Sequence, residues 1–153
     1  MPAPLALSRA QILAFRRRIG ALDERLPRGR RSLRRAAWAG LQDSMPRAAS
    51  LSLHARVAGT TPTTWEDPSL VQVWGPRYSA YVVAAQDLAF FSLGRLPDDA
   101  KGRTRAQDAA DRVESVLGLN GKKGYGDVGA SLGVNANSLR YGATTGRLVI
   151  RWE

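Results

Sequence analysis

Residues 38–57 read WAGLQDSMPRAASLSLHARV, a stretch that follows an arginine-studded segment and carries a polar cluster that a helix does not need. Read as a helix, residues 30–43 put Leu33, Ala36, Ala37, Gly40 and Leu41 on one side at core spacing. At about 100° per residue, Arg31, Arg35, Trp38 and Gln42 then share the opposite side. Two guanidinium groups, an indole and an amide are thereby presented together. Solubility asks for the charges but not for the tryptophan or the glutamine. Met45 precedes Pro46 and is pushed toward extended geometry, so this helix is expected to end near Asp43. From Pro46 a further helix is read over residues 47–57, broken by Gly59, Thr60, Thr61 and Pro62.

Working outward, Ser8 and Gln11 read as a capping box, with Leu7 and Ile12 as its staple. The helix they open carries Ile12, Phe15, Ile19 and Leu22 at helical spacing, which predicts a structural helix ending between residues 22 and 24. Residues 26–29, with Pro27, read as a connector. Thr63 or Thr64 is placed to cap a short turn at Trp65, Glu66 and Asp67. Residues 70–74 and 79–83 are rich in β-favouring side chains and are separated by Gly75, Pro76, Arg77 and Tyr78, which predicts a hairpin. Its tip either reaches backbone phosphates through Arg77 and Tyr78 or is polar merely because it is wet.

Residues 86–96 return to a helical pattern, with Leu88, Phe91 and Leu96 as core candidates. The run PDDAKG over residues 97–102 is the best boundary in the chain, giving one unit over 1–97 and a second, whole or truncated, over 102–153. Thr104 and Gln107 read as another capping box. Ala106, Ala109, Ala110, Val113, Val116 and Leu117 then share one face of a helix closed by Gly118. Residues 120–124 form a loop carrying Lys122 and Lys123. A helix-turn-helix follows, from Tyr125 to Leu132, through Gly133, to a second helix capped by Asn135. That second helix presents Asn137, Ser138, Arg140 and Tyr141 outward, either to DNA or to nothing, as in many short helix pairs. In residues 147–153, Leu148, Ile150 and Trp152 alternate with Arg147, Val149 and Arg151, the pattern of a half-buried strand. An unpaired apolar strand is a liability, so this ending reads as truncation.

Composition bounds the function. The chain of 153 residues is 44% hydrophobic, enough for a core, and carries a formal charge of +10. Arginine supplies 20 of its 23 basic residues, and the planar guanidinium fork suits phosphate oxygens. Residues 1–47 hold eleven of those arginines against Asp23, Glu24 and Asp43, so most of the positive field belongs to the first third. Such a field draws nucleic acid, and binding through it weakens steeply with salt. The alternatives are a solvated surface or a face for an acidic protein. Without cysteine, disulfides, zinc knuckles and thiol catalysis are excluded. His54 is the only histidine and reads as a packed or surface residue. No basic leader precedes an apolar run and no stretch reaches spanning length, which makes a cytoplasmic protein without a membrane role the simplest expectation.

The runs 41–49 (LQDSMPRAA), 53–57 (LHARV) and 65–71 (WEDPSLV) resemble the winged-helix DNA-binding proteins that include the AlkZ-like crosslink-repair DNA glycosylases. The resemblance covers most of the chain and is most specific over residues 42–88. It implies a mainly α-helical fold with small β-hairpins, built of winged-helix units, and a chain that is the N-terminal portion of a longer arrangement. It also implies double-stranded DNA as partner, excision of N7-alkylated or crosslinked purines, and neither cofactor nor metal. The family's Gln-x-Gln or Gln-x-Asp pair is matched at its first position by Gln42. Ser44 stands at the second, and Asp43 stands between them where an apolar residue is usual. Tyr81 stands where many relatives carry histidine.

The chemistry implied by that resemblance is undemanding. A purine alkylated at N7 is already cationic, so the protein must position a water and stabilise positive charge on the sugar. An amide such as Gln42 orients the water, and Asp43 is the carboxylate expected to steady the cation. Trp38 would support a displaced base while Arg31 and Arg35 hold phosphates. The competing reading has Gln42 bonded to a neighbouring loop and Trp38 filling a seam, in a winged-helix module that binds or regulates without catalysis.

Overall fold

A computed structural model describes residues 5–45, 47–118 and 121–152. Pro46, Asn120 and Glu153, each part of a segment read from the sequence, lie outside the described residues. The protein is mainly helical with one small antiparallel sheet.

The first helix, α1 (Arg9–Ile19), opens on the expected capping box. Ser8 Oγ accepts from the Gln11 amide at 3.2 Å, and Gln11 Oε1 accepts from the Ser8 amide at 2.9 Å. Its expected structural role is not what the fold shows, because α1 contributes no buried side chain. Next come α2 (Arg30–Ala36), the short strand β1 (Leu41–Gln42) and α3 (Ala48–Arg56). The helix read over residues 30–43 therefore stops at Ala36. Gly40 adopts φ +77, which a right-handed helix cannot accommodate. A Cβ there would sit 2.9 Å from the Phe91 ring and 3.1 Å from Tyr81, so the chain needs glycine to turn so close to the sheet. Beyond the turn, burial of Leu41 and pairing with a later strand outweigh continued helix. The apolar side of that reading holds, since Leu33, Ala36, Ala37 and Leu41 all enter the core.

A single 3-10 turn at Thr64–Glu66 leads into the hairpin of β2 (Leu70–Trp74) and β3 (Ala80–Ala84). The sheet order is β1-β3-β2, with Leu41 opposite Val82 and Gln42 opposite Tyr81. One core lies beneath this sheet, where Leu33, Leu53, Val57, Trp65, Leu70 and Val82 pack together. Burying a leucine such as Leu53 is worth roughly 1.5–3 kcal/mol. Residues 86–96 do not form one helix. After α4 (Leu88–Phe91) the Ser92 hydroxyl returns a bond to the Leu88 carbonyl at 2.7 Å, and a 3-10 turn at Leu93–Arg95 follows.

Helix α5 (Ala100–Leu117) begins one turn earlier than its expected capping box, because Asp99 caps it through a 2.7 Å bond from the Gly102 amide. A carboxylate at a helix N-terminus gains from the dipole as well as the bond. Thr104 thus lies inside the helix. The predicted face is the buried one, with Ala106, Ala110 and Val113 inward, and Gly118 ends the helix at φ +65. Packed on it are α6 (Tyr125–Ser131) and a 3-10 helix, Ala136–Thr145, capped by Asn135 as expected. At Gly142 a Cβ would lie 2.9 Å from the Ala110 nitrogen, so this approach to α5 is as close as backbone allows. Ala110, Val113, Val128, Leu139 and Leu148 form the second core.

Residues 147–152 are not a strand. The Ile150 amide donates to the Gln72 carbonyl at 3.1 Å, but the Trp152 amide goes to the Gln72 side chain at 2.7 Å, so no ladder develops along β2. Aromatic contacts join the two halves, with Trp74 on Tyr125 at 5.1 Å and Tyr78 on Tyr141 at 5.2 Å between ring centres.

Candidate functional site

Strand geometry, not helix geometry, sets the surroundings of Gln42. Successive side chains on a strand face opposite ways, and from Leu41 to Ser44 the chain alternates buried, exposed, buried, exposed. Gln42 and Ser44 therefore share one face, and Gln42 Nε2 donates to Ser44 Oγ at 2.8 Å. Tyr81, directly across the ladder from Gln42, is half-buried on the same side. Among the described residues, the amide oxygen of Gln42 and the Ser44 hydroxyl hydrogen have no further partner.

Asp43 faces the other way. Its carboxylate is buried, with Oδ1 accepting from the Ala49 amide at 2.9 Å and Oδ2 from Gln72 Nε2 at 2.6 Å. The first bond ties the start of α3, the second the middle of β2. Gln72 passes the connection to the C-terminal segment, whose Trp152 Nε1 also donates to the Asp43 carbonyl at 3.2 Å. Asp43 thus holds strand, helix and C-terminal segment together from the inner side, apart from Gln42 and Ser44.

The arginine face is divided by the early end of α2. Arg31 and Arg35 are exposed on the helix, while Trp38 stands in the turn beyond it, 56% exposed. Trp38 lines a cleft of about 230 Å³ whose other walls include Phe15 and Arg16 of α1, Arg56 of α3, and Gly40 and Leu41. Phe15, Arg16 and Arg56 were not among the residues expected at the site. A regular apolar spacing in α1 argued for burial, and only the fold shows that face exposed.

The other expected contacts lie elsewhere. Arg77 is exposed at the hairpin tip, where it and Tyr78 both hold φ 55. Tyr78 is turned inward, against Tyr141 and under the guanidinium of Arg95 at 4.9 Å. Burial there lowers the pKa of Arg95 from its ordinary value. Arg140 is also engaged within the molecule, donating to Tyr125 Oη at 2.9 Å and to the Tyr78 carbonyl at 3.3 Å, with Trp74 and Tyr125 beside its guanidinium. Asn137 is exposed and accepts from Tyr125 Oη at 3.2 Å. The fold brings Gln42, Ser44 and Tyr81 to one face. Arg140, Tyr78 and Asn137 gather at the junction of the two halves.

His54 is exposed, with Nδ1 3.3 Å from an Arg25 nitrogen and 3.1 Å from Thr60 Oγ1. Among the described residues no group of three or more His, Cys, Asp or Glu side chains is placed to hold a metal ion. No helix among them is long and apolar enough to cross a membrane.

A family model described as DNA glycosylase AlkZ-like matches residues 33–121. The chain belongs to the AlkZ-like DNA glycosylase family. Its matched span runs from within α2 to just past α5 and includes Gln42, Ser44, Tyr81 and the hairpin, while α1 lies before it. No curated protein and no solved structure matches the chain. Membership relates the protein to DNA repair glycosylases.

Proposed function

We infer that this AlkZ-like protein binds duplex DNA as a winged-helix unit and hydrolyses the N-glycosidic bond of N7-alkylated or crosslinked purines. The observation that carries the reading is the shared outward face of Gln42 and Ser44, two positions apart on β1 and hydrogen-bonded at 2.8 Å. Support for a winged helix comes from the order α2, β1, α3, short turn, hairpin, with β1 pairing the returning strand of the hairpin. The Thr64–Glu66 turn then stands where a recognition helix would be, and the units are divided near residues 97–102. Arg31 and Arg35 hold phosphates and Arg77 reaches the backbone from the hairpin tip. The protein acts in the cytoplasm, on this reading.

The Gln42 amide oxygen orients a water toward C1′ of the damaged nucleotide, and Ser44 fixes the amide's rotation. The carbon–nitrogen bond breaks as the water oxygen bonds to C1′. Its electron pair neutralises the cationic base, which leaves, and the water gives up one proton to solvent. No general acid is required. Asp43, with both oxygens committed inside the protein, serves the position of β1 and does not touch the sugar.

One observation favours a second reading, a DNA-binding module without turnover. Ser44 supplies a hydroxyl where the family pair has an amide or carboxylate, and a hydroxyl is a poor base at neutral pH. Abasic-site formation from duplex DNA containing N7-methylguanine decides between them. Turnover that is lost in Gln42→Ala supports the glycosylase. Binding without turnover leaves the module.

A further inference from the structure

Helix α1 shows a surface that folding alone does not explain. Phe15 is 64% exposed, Ile19 42% and Trp38 56%, and all three line one cleft. Three consecutive arginines, Arg16, Arg17 and Arg18, occupy the helix's last turn. Arg17 is paired with Asp23 at 3.0 Å, whereas Arg16 lines the cleft and makes no ion pair among the described residues. The floor of the cleft, Gly40 and Leu41, runs directly into Gln42.

Aromatic rings and a guanidinium around one concave space match a ligand that is itself an aromatic ring on an anionic chain. Base stacking on such side chains, with arginine tracking the backbone, is how proteins hold unpaired strands. Among the described residues the cleft lining has no hydroxyl, amide side chain or carboxylate, and its polar side-chain groups are the guanidiniums of Arg16 and Arg56 and the indole N–H of Trp38. A base seated there is held chiefly by stacking, which every base can supply, so recognition is tolerant of sequence. A lipid surface fits less well, because the rings face a concave space of about 230 Å³ and not an outward convex stripe.

We propose that the cleft between α1 and the α2–β1 turn holds one unpaired nucleotide of a DNA strand, its base between Phe15 and Trp38 and its phosphate on Arg16. This rests on the DNA-binding reading and adds to it a place for a nucleotide displaced from the duplex, at residues that directly precede Gln42 in the chain. The wall that α1 supplies lies before the family-matched span.

The test compares the unchanged chain with the Phe15→Ala/Trp38→Ala double variant in titrations with a labelled oligothymidylate, a fully paired duplex of equal length, and phosphatidylserine vesicles. Both side chains are exposed, and an unaltered denaturation midpoint verifies the fold. The expected result is an affinity loss for oligothymidylate on the order of tenfold, well beyond the loss for duplex. Equal losses for both DNAs, or no loss for either, overturn the cleft assignment while leaving duplex binding in place. A loss confined to vesicles, or a change from dimer to monomer in sedimentation, overturns it in favour of a lipid or a second copy of the chain. Failure of the unchanged chain to bind either DNA overturns the DNA-binding reading as well.

Discussion

Arg31 and Arg35 in the first half and Arg140 and Arg147 in the second are the same side chain in opposite circumstances. The first two stand exposed on α2 in a strongly positive region. Arg140 is spent on Tyr125 and the Tyr78 backbone, and Arg147 on Asp111 and Glu114. The hydrogen bonds Arg147 donates to Glu114 and Asp111 hold its pKa above the ordinary value. The charge of Arg140 and Arg147 is therefore engaged within the molecule, whereas that of Arg31 and Arg35 stands exposed. Strand β1 repeats the contrast on the scale of adjacent residues, with Asp43 committed inward and Gln42 and Ser44 turned out.

Asp43→Ala should break the inner side most severely. It strands the Ala49 amide and the Gln72 side chain in a buried place and should cost about 3 kcal/mol of stability, read as a lowered denaturant midpoint. Gln42→Ala, on the outer face, should change stability by less than about 0.5 kcal/mol, read from the same midpoint. Comparable losses from the two would erase the distinction between the faces. At the junction of the halves, Arg140→Ala should cost about 1–2 kcal/mol and lower DNA affinity no more than instability explains. Arg31→Ala and Arg35→Ala should do the reverse, with stability kept and the salt dependence of duplex binding reduced by about one phosphate contact each. A small, pH-dependent effect belongs to Asp67. Hydrogen bonds from the Ser69 hydroxyl and amide hold its carboxyl below the ordinary aspartate range. A depressed folded pKa means its contribution is complete at neutral pH and is lost as pH falls through the folded value. Asp67→Asn should accordingly flatten the acid limb of stability by under about 1 kcal/mol, measured by denaturation between pH 5 and 2.

Much of this was legible in the sequence wherever the signal was local. The Ser8 capping box, the hairpin around Gly75, the buried face of α5 and its end at Gly118 all rest on neighbours within a few residues. The helix read through Gln42 went astray because apolar spacing over Leu33, Ala36, Ala37 and Leu41 is satisfied equally by a helix that stops and a strand that follows. The deciding contacts, Leu41 with Val82 and Gly40 with Phe91, are made by residues some forty or more positions away. Long-range partners likewise decided the arginines, since nothing near Arg140 in sequence announces Tyr78 or Trp74. At α1 the limit was different. A periodic apolar face predicts that something covers it, and the fold leaves that face to solvent.

We propose that the outer face of β1, not Asp43, carries the chemistry, and Ser44→Gln, which restores the family's pair, puts this to the test. Abasic sites released from N7-methylguanine duplex should be counted for the unchanged chain, for Ser44→Gln, and for Ser44→Gln combined with Gln42→Ala. Ser44→Gln should raise the rate by at least about tenfold, since a second positioned polar group commonly contributes that much or more, and the gain should vanish without Gln42. A rate unmoved by Ser44→Gln, or one that persists in the double variant, would contradict it.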